Sequence, residues 1–247
     1  MNQAICRVAI APMRADKSDS SEMVSQILFG EIIKKLDSHN NWILIETYID
    51  KYQGWVDSKQ LEFLNKNEID NWFLNQQIIT TNCQIKTNIG TLNLTKGAFL
   101  HKNSPSKFKI GHLEIISKYK HSTPSLISFA KSYLNTPYLW GGKTNYGIDC
   151  SGFTQIVLRN QGIEIPRDAS QQEKYGSPTL YKDRQKGDVA FFSNSVGKII
   201  HVGILISKTK IIHASGRVKI DTIDDKGIFS QELNEYSHTL YSIKRMI

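Results

Sequence analysis

The chain has 247 residues, 40% of them apolar and 22% charged, with a formal net charge of +8. That composition excludes a disordered chain, a collagen-like repeat and a coiled coil, and the length corresponds to one or two average domains, or more if some are small barrels. The longest clean apolar stretch, Ile199–Ile206, is far short of the ~18 residues that a membrane-spanning helix needs, so no membrane partner is expected.

Ile5-Cys6-Arg7-Val8-Ala9-Ile10 is apolar and β-prone, and it ends at Pro12. Asp19 followed by Glu22 has the spacing of a capping box. It predicts a helix that carries Met23, Ile27 and Leu28 and stops at Gly30. Glu31–Leu36, Trp42–Tyr48, Gln53–Val56 and Leu61–Leu64 read as short strands bounded by turn residues. Together these elements predict a small half-open barrel with a helical insert over residues 1–67. A second segment of the same style, residues 68–118, has strand candidates at Ile78-Ile79, Cys83–Lys86, Ala98–His101 and Phe108–Ile110, with turns at Asn88-Ile89-Gly90 and Lys96-Gly97. It reads as a second small barrel.

From residue 119 the texture changes. Thr123 is a predicted N-cap with Pro124 at the first helical position. Leu126, Ile127, Ala130, Tyr133 and Leu134 then follow helical spacing. A second helix is predicted from Asp149 to Gly162. Strands follow at Val189–Phe192, Ile199–Ile206, Lys210–Ala214 and Leu240–Arg245, with Ser207-Lys208-Thr209 as a hairpin turn. Helices first and an antiparallel sheet afterwards is an α+β pattern. The charge is uneven: residues 118–247 hold 18 Lys and Arg against 11 Asp and Glu, and the first 117 residues hold 13 against 12. A basic C-terminal part suits an anionic substrate, although solvated surface lysines account for most of the excess.

The three cysteines, Cys6, Cys83 and Cys150, are far apart and form no Cys-x-x-Cys pair. Neither a zinc site nor a disulfide framework is expected, and no metal or cofactor is called for. The N-terminus lacks a signal-peptide pattern. With Met1 as the natural start, a cytoplasmic location follows. Cys6 and Cys83 read as small buried hydrophobes. Cys150 differs. It follows a Gly-rich turn, Gly141-Gly142, and the N-cap Asp149, which places it in the first turn of a helix. There the unpaired N–H groups and the helix dipole favour an anion, so its thiol pKa is expected to fall.

A nucleophilic thiolate needs a proton partner that works near neutral pH, and histidine fits best. His39, His101, His112, His121 and His238 lie in polar or loop-like surroundings and read as bystanders. His201 and His213 each interrupt an apolar strand, on two hairpin neighbours. A ring buried there must find a hydrogen bond. His201 is the candidate general base, and His213 the candidate third group that holds its ring.

These motifs occur in a recognisable order: Tyr138-Leu139-Trp140-Gly141-Gly142, Asp149-Cys150-Ser151-Gly152-Phe153, Pro166-Arg167-Asp168, Gly187-Asp188, His201-Val202-Gly203-Ile204 and Ile212-His213-Ala214. The order resembles the NlpC family of murein peptidases, papain-like cysteine hydrolases with a Cys-His-His triad. The likeness covers residues 122–247. It implies an α+β papain-like catalytic domain over 119–247, preceded by two small all-β SH3-like barrels. It implies Cys150 as nucleophile, His201 as base and His213 as the orienting residue. It places Tyr138 beside the nucleophile, and it implies Trp140, Asp149, Ser151 and Asp168 as substrate contacts.

Ser21–Glu31 and Tyr52-Gln53-Gly54-Trp55-Val56 look like the first bacterial SH3-like barrel of one subgroup, the γ-D-glutamyl-L-diamino acid dipeptidyl-peptidases. That likeness implies a barrel closing one end of the cleft, with an acidic residue and a tyrosine holding the substrate's free amine. By position these are Glu22, with Glu31 as the alternative, and Tyr52. One departure is Ala169, where many relatives carry Ser. The expected function is a cysteine peptidase acting on murein-derived peptides with a free N-terminal L-Ala, in cell-wall peptide recycling, with no nucleic-acid partner. The alternatives are a lytic DL-endopeptidase on intact murein and a non-catalytic murein-binding module. The first is disfavoured by the missing signal pattern and the second by the retained Cys150, His201 and His213. The choice between Lys and diaminopimelate stays open.

Overall fold

The computed structural model describes residues 2–246. Met1 and Ile247, the outer ends of the expected first and last domains, lie outside the described residues. The chain divides into two compact units between Thr123 and Pro124.

The first unit opens with seven strands, β1 (Gln3–Cys6), β2 (Ile10–Arg14), β3 (Met23–Leu28), β4 (Ile32–His39), β5 (Trp42–Thr47), β6 (Gln53–Asp57) and β7 (Leu61–Leu64). They form one sheet in the order β3-β2-β6-β5-β4-β1-β7. Side chains alternate across each strand, so Ile43 and Ile45 of β5 turn inward. The sheet wraps a small core that includes Cys6, Met13, Ile27, Ile45 and Val56.

The helix expected after Asp19 does not form. Met23–Leu28 is strand β3, paired with β2 from Ile10↔Leu28 to Met13↔Ser25. The local capping spacing is present, but pairing with β2 buries every residue from Ser25 to Gly30. Tertiary pairing and burial outweigh the local helix signal.

The unit continues with helix α1 (Lys66–Asn75), started by a reciprocal capping box between Asn65 and Glu68. Six strands follow: β8 (Gln76–Ile78), β9 (Cys83–Thr87), β10 (Gly90–Leu94), β11 (Phe99–His101), β12 (Lys107–Ile110) and β13 (Leu113–Ile116). They make a sheet β10-β9-β13-β12 and a separate pair β8–β11. α1 is fixed by Trp72, which is buried, donates its indole N–H to the Gly30 carbonyl at 2.8 Å and stacks against Phe108 with ring centroids 6.2 Å apart.

The second unit begins with α2 (Leu126–Lys131). Its N-cap is Ser125, whose side chain accepts from the Ser128 N–H, two residues after the expected Thr123. The two-residue strands β14 (Lys143–Thr144) and β15 (Gly147–Ile148), helix α3 (Cys150–Arg159), the short α4 (Ala169–Gln172) and β16 (Ser177–Pro178) come next. Then come β17 (Val189–Ser193), β18 (Ile199–Leu205), β19 (Lys210–Ser215), β20 (Arg217–Ile223), β21 (Gly227–Ser230) and β22 (Glu235–Arg245). The hairpin expected at Ser207-Lys208-Thr209 joins β18 to β19.

The long strand β22 pairs with β17 through its second half and with β21 through its first. The antiparallel sheet β17 to β22 therefore closes on itself around Ala190, Phe192, Leu205, Ile211, Ile223, Ile228 and Ile243. Every residue of α3 is buried, and it packs against β18 and β19.

Trp72 combines a large buried surface with an indole hydrogen bond. Trp72→Ala is expected to cost about 3–5 kcal/mol, read by urea denaturation. A loss below about 1 kcal/mol would show that α1 is held elsewhere.

Candidate active site

Cys150 is the first residue of α3, and its N-cap Asp149 accepts the Gly152 N–H at 2.7 Å. The same carboxylate accepts the Ser151 hydroxyl at 3.2 Å and the Gly141 N–H at 2.8 Å. Arg167 closes the arrangement with a fork: Nη1 donates to Oδ1 at 3.0 Å and Nη2 to Oδ2 at 2.5 Å. Nη1 also donates to the Ser151 hydroxyl at 2.8 Å. Both charged side chains are almost wholly buried, at 2% and 6% exposure, and a forked charge-assisted pair is the geometry that makes such burial tolerable. Gly152 lets the loop approach, since a Cβ there would sit 2.3 Å from the Gly142 carbonyl oxygen.

Cys150 is 7% exposed. Burial pushes the thiol pKa up to about 12, and the Asp149 charge adds to this; the backbone N–H of Val202, Arg167 and the N–H of Ser151 oppose it. The expected fall does not occur in the resting protein. Desolvation and the adjacent carboxylate outweigh the helix start. The Val202 contact nevertheless sets the sulfur against β18, the strand that carries His201.

His201 and His213 come together through sheet register. Gly203 of β18 lies opposite His213 of β19, and His201 lies two residues before Gly203 on the same face. A Cβ on Gly203 would come within 2.8 Å of the His213 Cβ, so the glycine leaves room for the rings to meet on the diagonal. His201 Nε2 and His213 Nδ1 are 2.8 Å apart. The diagonal continues. Ile211 lies opposite Asp221 of β20, and the His213 Nε2 meets Asp221 Oδ2 at 3.0 Å. Asp221 also pairs with Lys219 at 3.4 Å.

His238 is a correction to the sequence reading. Closure of the sheet brings it from β22 onto His201, with ring centroids 4.0 Å apart and planes 25° from parallel. Its Nδ1 lies 2.8 Å from the Ser237 hydroxyl. Burial lowers the pKa of all three imidazoles. His201 is held well below the ordinary value by burial and by its histidine neighbours, and His213 is lowered by burial against the opposing pull of Asp221. His238 falls to about 4, through burial and the charges of His213 and Lys219. The three rings also bring one nitrogen each within 4.8 Å of one another, the cluster among the described residues whose donors suit a divalent metal.

The remaining candidates are more scattered. Tyr138 is half-buried, and burial raises its phenol pKa, with Cys150 and Asp149 among the nearby groups that add to the rise. Its hydroxyl is thus within electrostatic reach of the sulfur. Trp140 is 61% exposed. Asp168 starts α4 without capping it through its side chain, and Ser170 is exposed. Asp149 has both oxygens engaged by the helix start and Arg167, and Ser151 shares that network. Glu22 and Tyr52 belong to the first unit. Glu22 is exposed just before β3, Tyr52 packs on the barrel core, and Glu31 is buried at 2% exposure. Of the other cysteines, Cys6 is fully buried, and Cys83 is half-buried with its pKa raised by burial to about 11.

Sequence reasoning gave no role to Arg167, Asp221 or His238. Arg167 sits inside a quoted motif. Asp221 is an acid within the β-prone run Val218–Ile223, a weak signal. His238 becomes visible only when the sheet closes.

Two outcomes follow from these contacts. Arg167→Met strands a buried carboxylate and is expected to cost about 3–5 kcal/mol in urea denaturation. Arg167→Lys, which keeps the charge but loses the fork, should recover only part of that loss. A silent Arg167→Met would contradict the anchoring role. The depressed imidazole values set the sign of acid behaviour. The unfolded chain takes up protons near 6.5 while the folded one does not, so this stability is fully present above that pH and is lost as pH falls toward about 4. For His238 alone, allowing for its partial exposure, the loss between pH 7.5 and 4.5 is about 2 kcal/mol. Urea titrations at pH 7.5 and 4.5 should differ by at least that much, and equal stabilities would refute the buried neutral cluster.

Comparison with known proteins agrees with this geometry. The sequence matches the model of the NlpC/P60 family over residues 135–236 and that of the bacterial dipeptidyl-peptidase Sh3 domain over residues 13–61. It is 26% identical over 235 residues to a gamma-D-glutamyl-L-lysine dipeptidyl-peptidase of Bacillus cereus, covering 80% of this chain and 68% of that protein. It is 32% identical over 117 residues to a probable endopeptidase of Haemophilus influenzae, covering 46% of this chain and 68% of that one. An NlpC/P60 family protein from Bacillus cereus of known structure superposes with a TM-score of 0.80 over 99% of both chains, at 22% identity. The chain therefore belongs to the NlpC/P60 family and is a cysteine-type peptidase that carries a bacterial SH3 domain ahead of its catalytic domain.

Proposed function

We propose that this peptidase hydrolyses the bond between γ-D-Glu and L-Lys or diaminopimelate in murein stem peptides that begin with a free L-Ala, releasing L-Ala-γ-D-Glu for recycling. The observation that supports the reaction class is the cysteine at a capped helix start, hydrogen-bonded to Val202 of the strand that carries His201, whose Nε2 lies 2.8 Å from His213. The bond assignment draws support from the relative named as a gamma-D-glutamyl-L-lysine dipeptidyl-peptidase and from the dipeptidyl-peptidase type of the Sh3 domain.

With Nε2 of His201 engaged by His213, Nδ1 is the atom assigned to take the Cys150 proton. The sulfur then forms a bond to the γ-carbonyl carbon of D-Glu, and the oxyanion is stabilised by backbone N–H groups at the start of α3 with the Tyr138 hydroxyl nearby. His201 returns the proton to the leaving α-amine as the C–N bond breaks. A water, deprotonated by His201, displaces the sulfur from the thioester. Because the resting thiol is held neutral, the base and not the helix start alone must generate the thiolate. Trp140, Ser151 and Asp168 are assigned to substrate contact. Asp149 is assigned to holding α3 in place, since both of its oxygens are taken. The net positive charge of the catalytic part favours the anionic stem peptide with its D-Glu α-carboxylate.

Incubation with L-Ala-γ-D-Glu-L-Lys tests the reading. Wild type should release L-Ala-γ-D-Glu, and Cys150→Ala should fall by at least about 10⁴-fold. Turnover by Cys150→Ala at the wild-type rate would refute the mechanism. Acetylating the substrate amine should abolish cleavage. Equal cleavage of the acetylated peptide would favour a lytic endopeptidase on intact murein.

A further inference from the structure

We propose that Asp221 is a positioning residue that, acting through His213, fixes which ring nitrogen of His201 carries the proton. This rests on the assignment of Cys150 and His201 as nucleophile and base. Asp221 is 2% exposed, and its Oδ2 lies 3.0 Å from the His213 Nε2. Burial alone would raise its carboxyl, but the hydrogen bond from His213, together with Lys219, holds it below the ordinary carboxylate range. An ionised carboxylate only accepts hydrogen bonds, so His213 must present N–H at Nε2.

His213 is neutral at rest, because burial depresses it. A neutral imidazole carries one N–H and one lone pair, so its Nδ1 must be the acceptor. The 2.8 Å contact to His201 Nε2 then makes Nε2 of His201 the donor. The lone pair of His201 is left on Nδ1, the nitrogen needed to take the thiol proton. One carboxylate thus sets two tautomers in series, across a diagonal of three adjacent strands. When His201 becomes cationic in the reaction, the same two hydrogen bonds point toward Asp221, whose charge balances the imidazolium through His213. The wrong tautomer of His201 would point N–H at the sulfur and could not accept its proton.

The test compares Asp221→Asn, Lys219→Met and Cys150→Ala on L-Ala-γ-D-Glu-L-Lys, with ¹⁵N spectra of the histidine side chains at neutral pH. The carboxamide can offer either N–H or C=O to His213 and no longer dictates its tautomer. Asp221→Asn should lower kcat about 10²-fold with KM within about threefold. Its His213 and His201 spectra should change from the wild-type pattern of protonated Nε2 and bare Nδ1. Lys219→Met removes one charge beside Asp221 but leaves the Asp221–His213 bond in place, so its spectra should keep the wild-type tautomer pattern.

A wild-type His213 protonated at Nδ1 would overturn the inference, even if Asp221→Asn does not fold. So would Asp221→Asn turning over at the wild-type rate. In either case an inactive Cys150→Ala would leave the underlying reading standing. Activity in Cys150→Ala would sink that reading instead, and the ¹⁵N pattern would still decide the tautomers.

Discussion

The forked pair between Arg167 and Asp149 is the constraint on which the catalytic unit depends. One carboxylate caps α3, holds the Gly141 N–H of the upstream turn and receives both guanidinium nitrogens. Each of these bonds fixes a different segment, and the segments meet at the residue before Cys150. The start of a helix is a favourable place for an anion, so the carboxylate is stabilised from two sides, by peptide dipoles and by the arginine. Burying two opposite charges is rarely a net gain. Here it secures the position of the sulfur, which no apolar replacement could fix with the same number of directed contacts.

That anchor has an electrostatic consequence. The Asp149 charge beside Cys150 works with burial to keep the thiol protonated. In the proposed mechanism the thiolate therefore depends on His201, an imidazole that burial also keeps neutral. Two neutral partners that exchange one proton at the moment of attack avoid a standing charge pair in a dry site. The closed sheet β17–β22 supplies the geometry. Three strands deliver His201, His213 and Asp221 along one diagonal, and the return of β22 lays His238 flat on His201. The stacked ring covers one face of the His201 imidazole.

Much of the catalytic unit was legible because its signals are local. Asp149 and Cys150 announce a helix start within a few residues, and His201 and His213 interrupt apolar strands joined by a short turn. Register on a hairpin follows from the turn and from alternation, so the meeting of those two rings could be anticipated. The thiol pKa could not. The helix start is visible in sequence, whereas burial and the proximity of a second anion depend on packing. His238 and Asp221 escaped for a similar reason. One arrives by closure of a sheet whose strands are far apart in sequence, and the other by a diagonal contact with a third strand. In the first unit, Asp19 and Glu22 imitate a capping box, and Met23–Leu28 became a strand because β2 offered a partner that buries it. Trp72 likewise joins α1 to Gly30 across 42 residues of chain, a contact that no local pattern encodes.

In the proposed mechanism a neutral cysteine is activated by a neutral histidine, and the rate at which iodoacetamide alkylates Cys150 at neutral pH tests this activation. Cys150 should react well ahead of the half-buried Cys83, and His201→Ala should remove that advantage. Alkylation of Cys150 no faster than Cys83 in the wild type, or at an unchanged rate in His201→Ala, would contradict it.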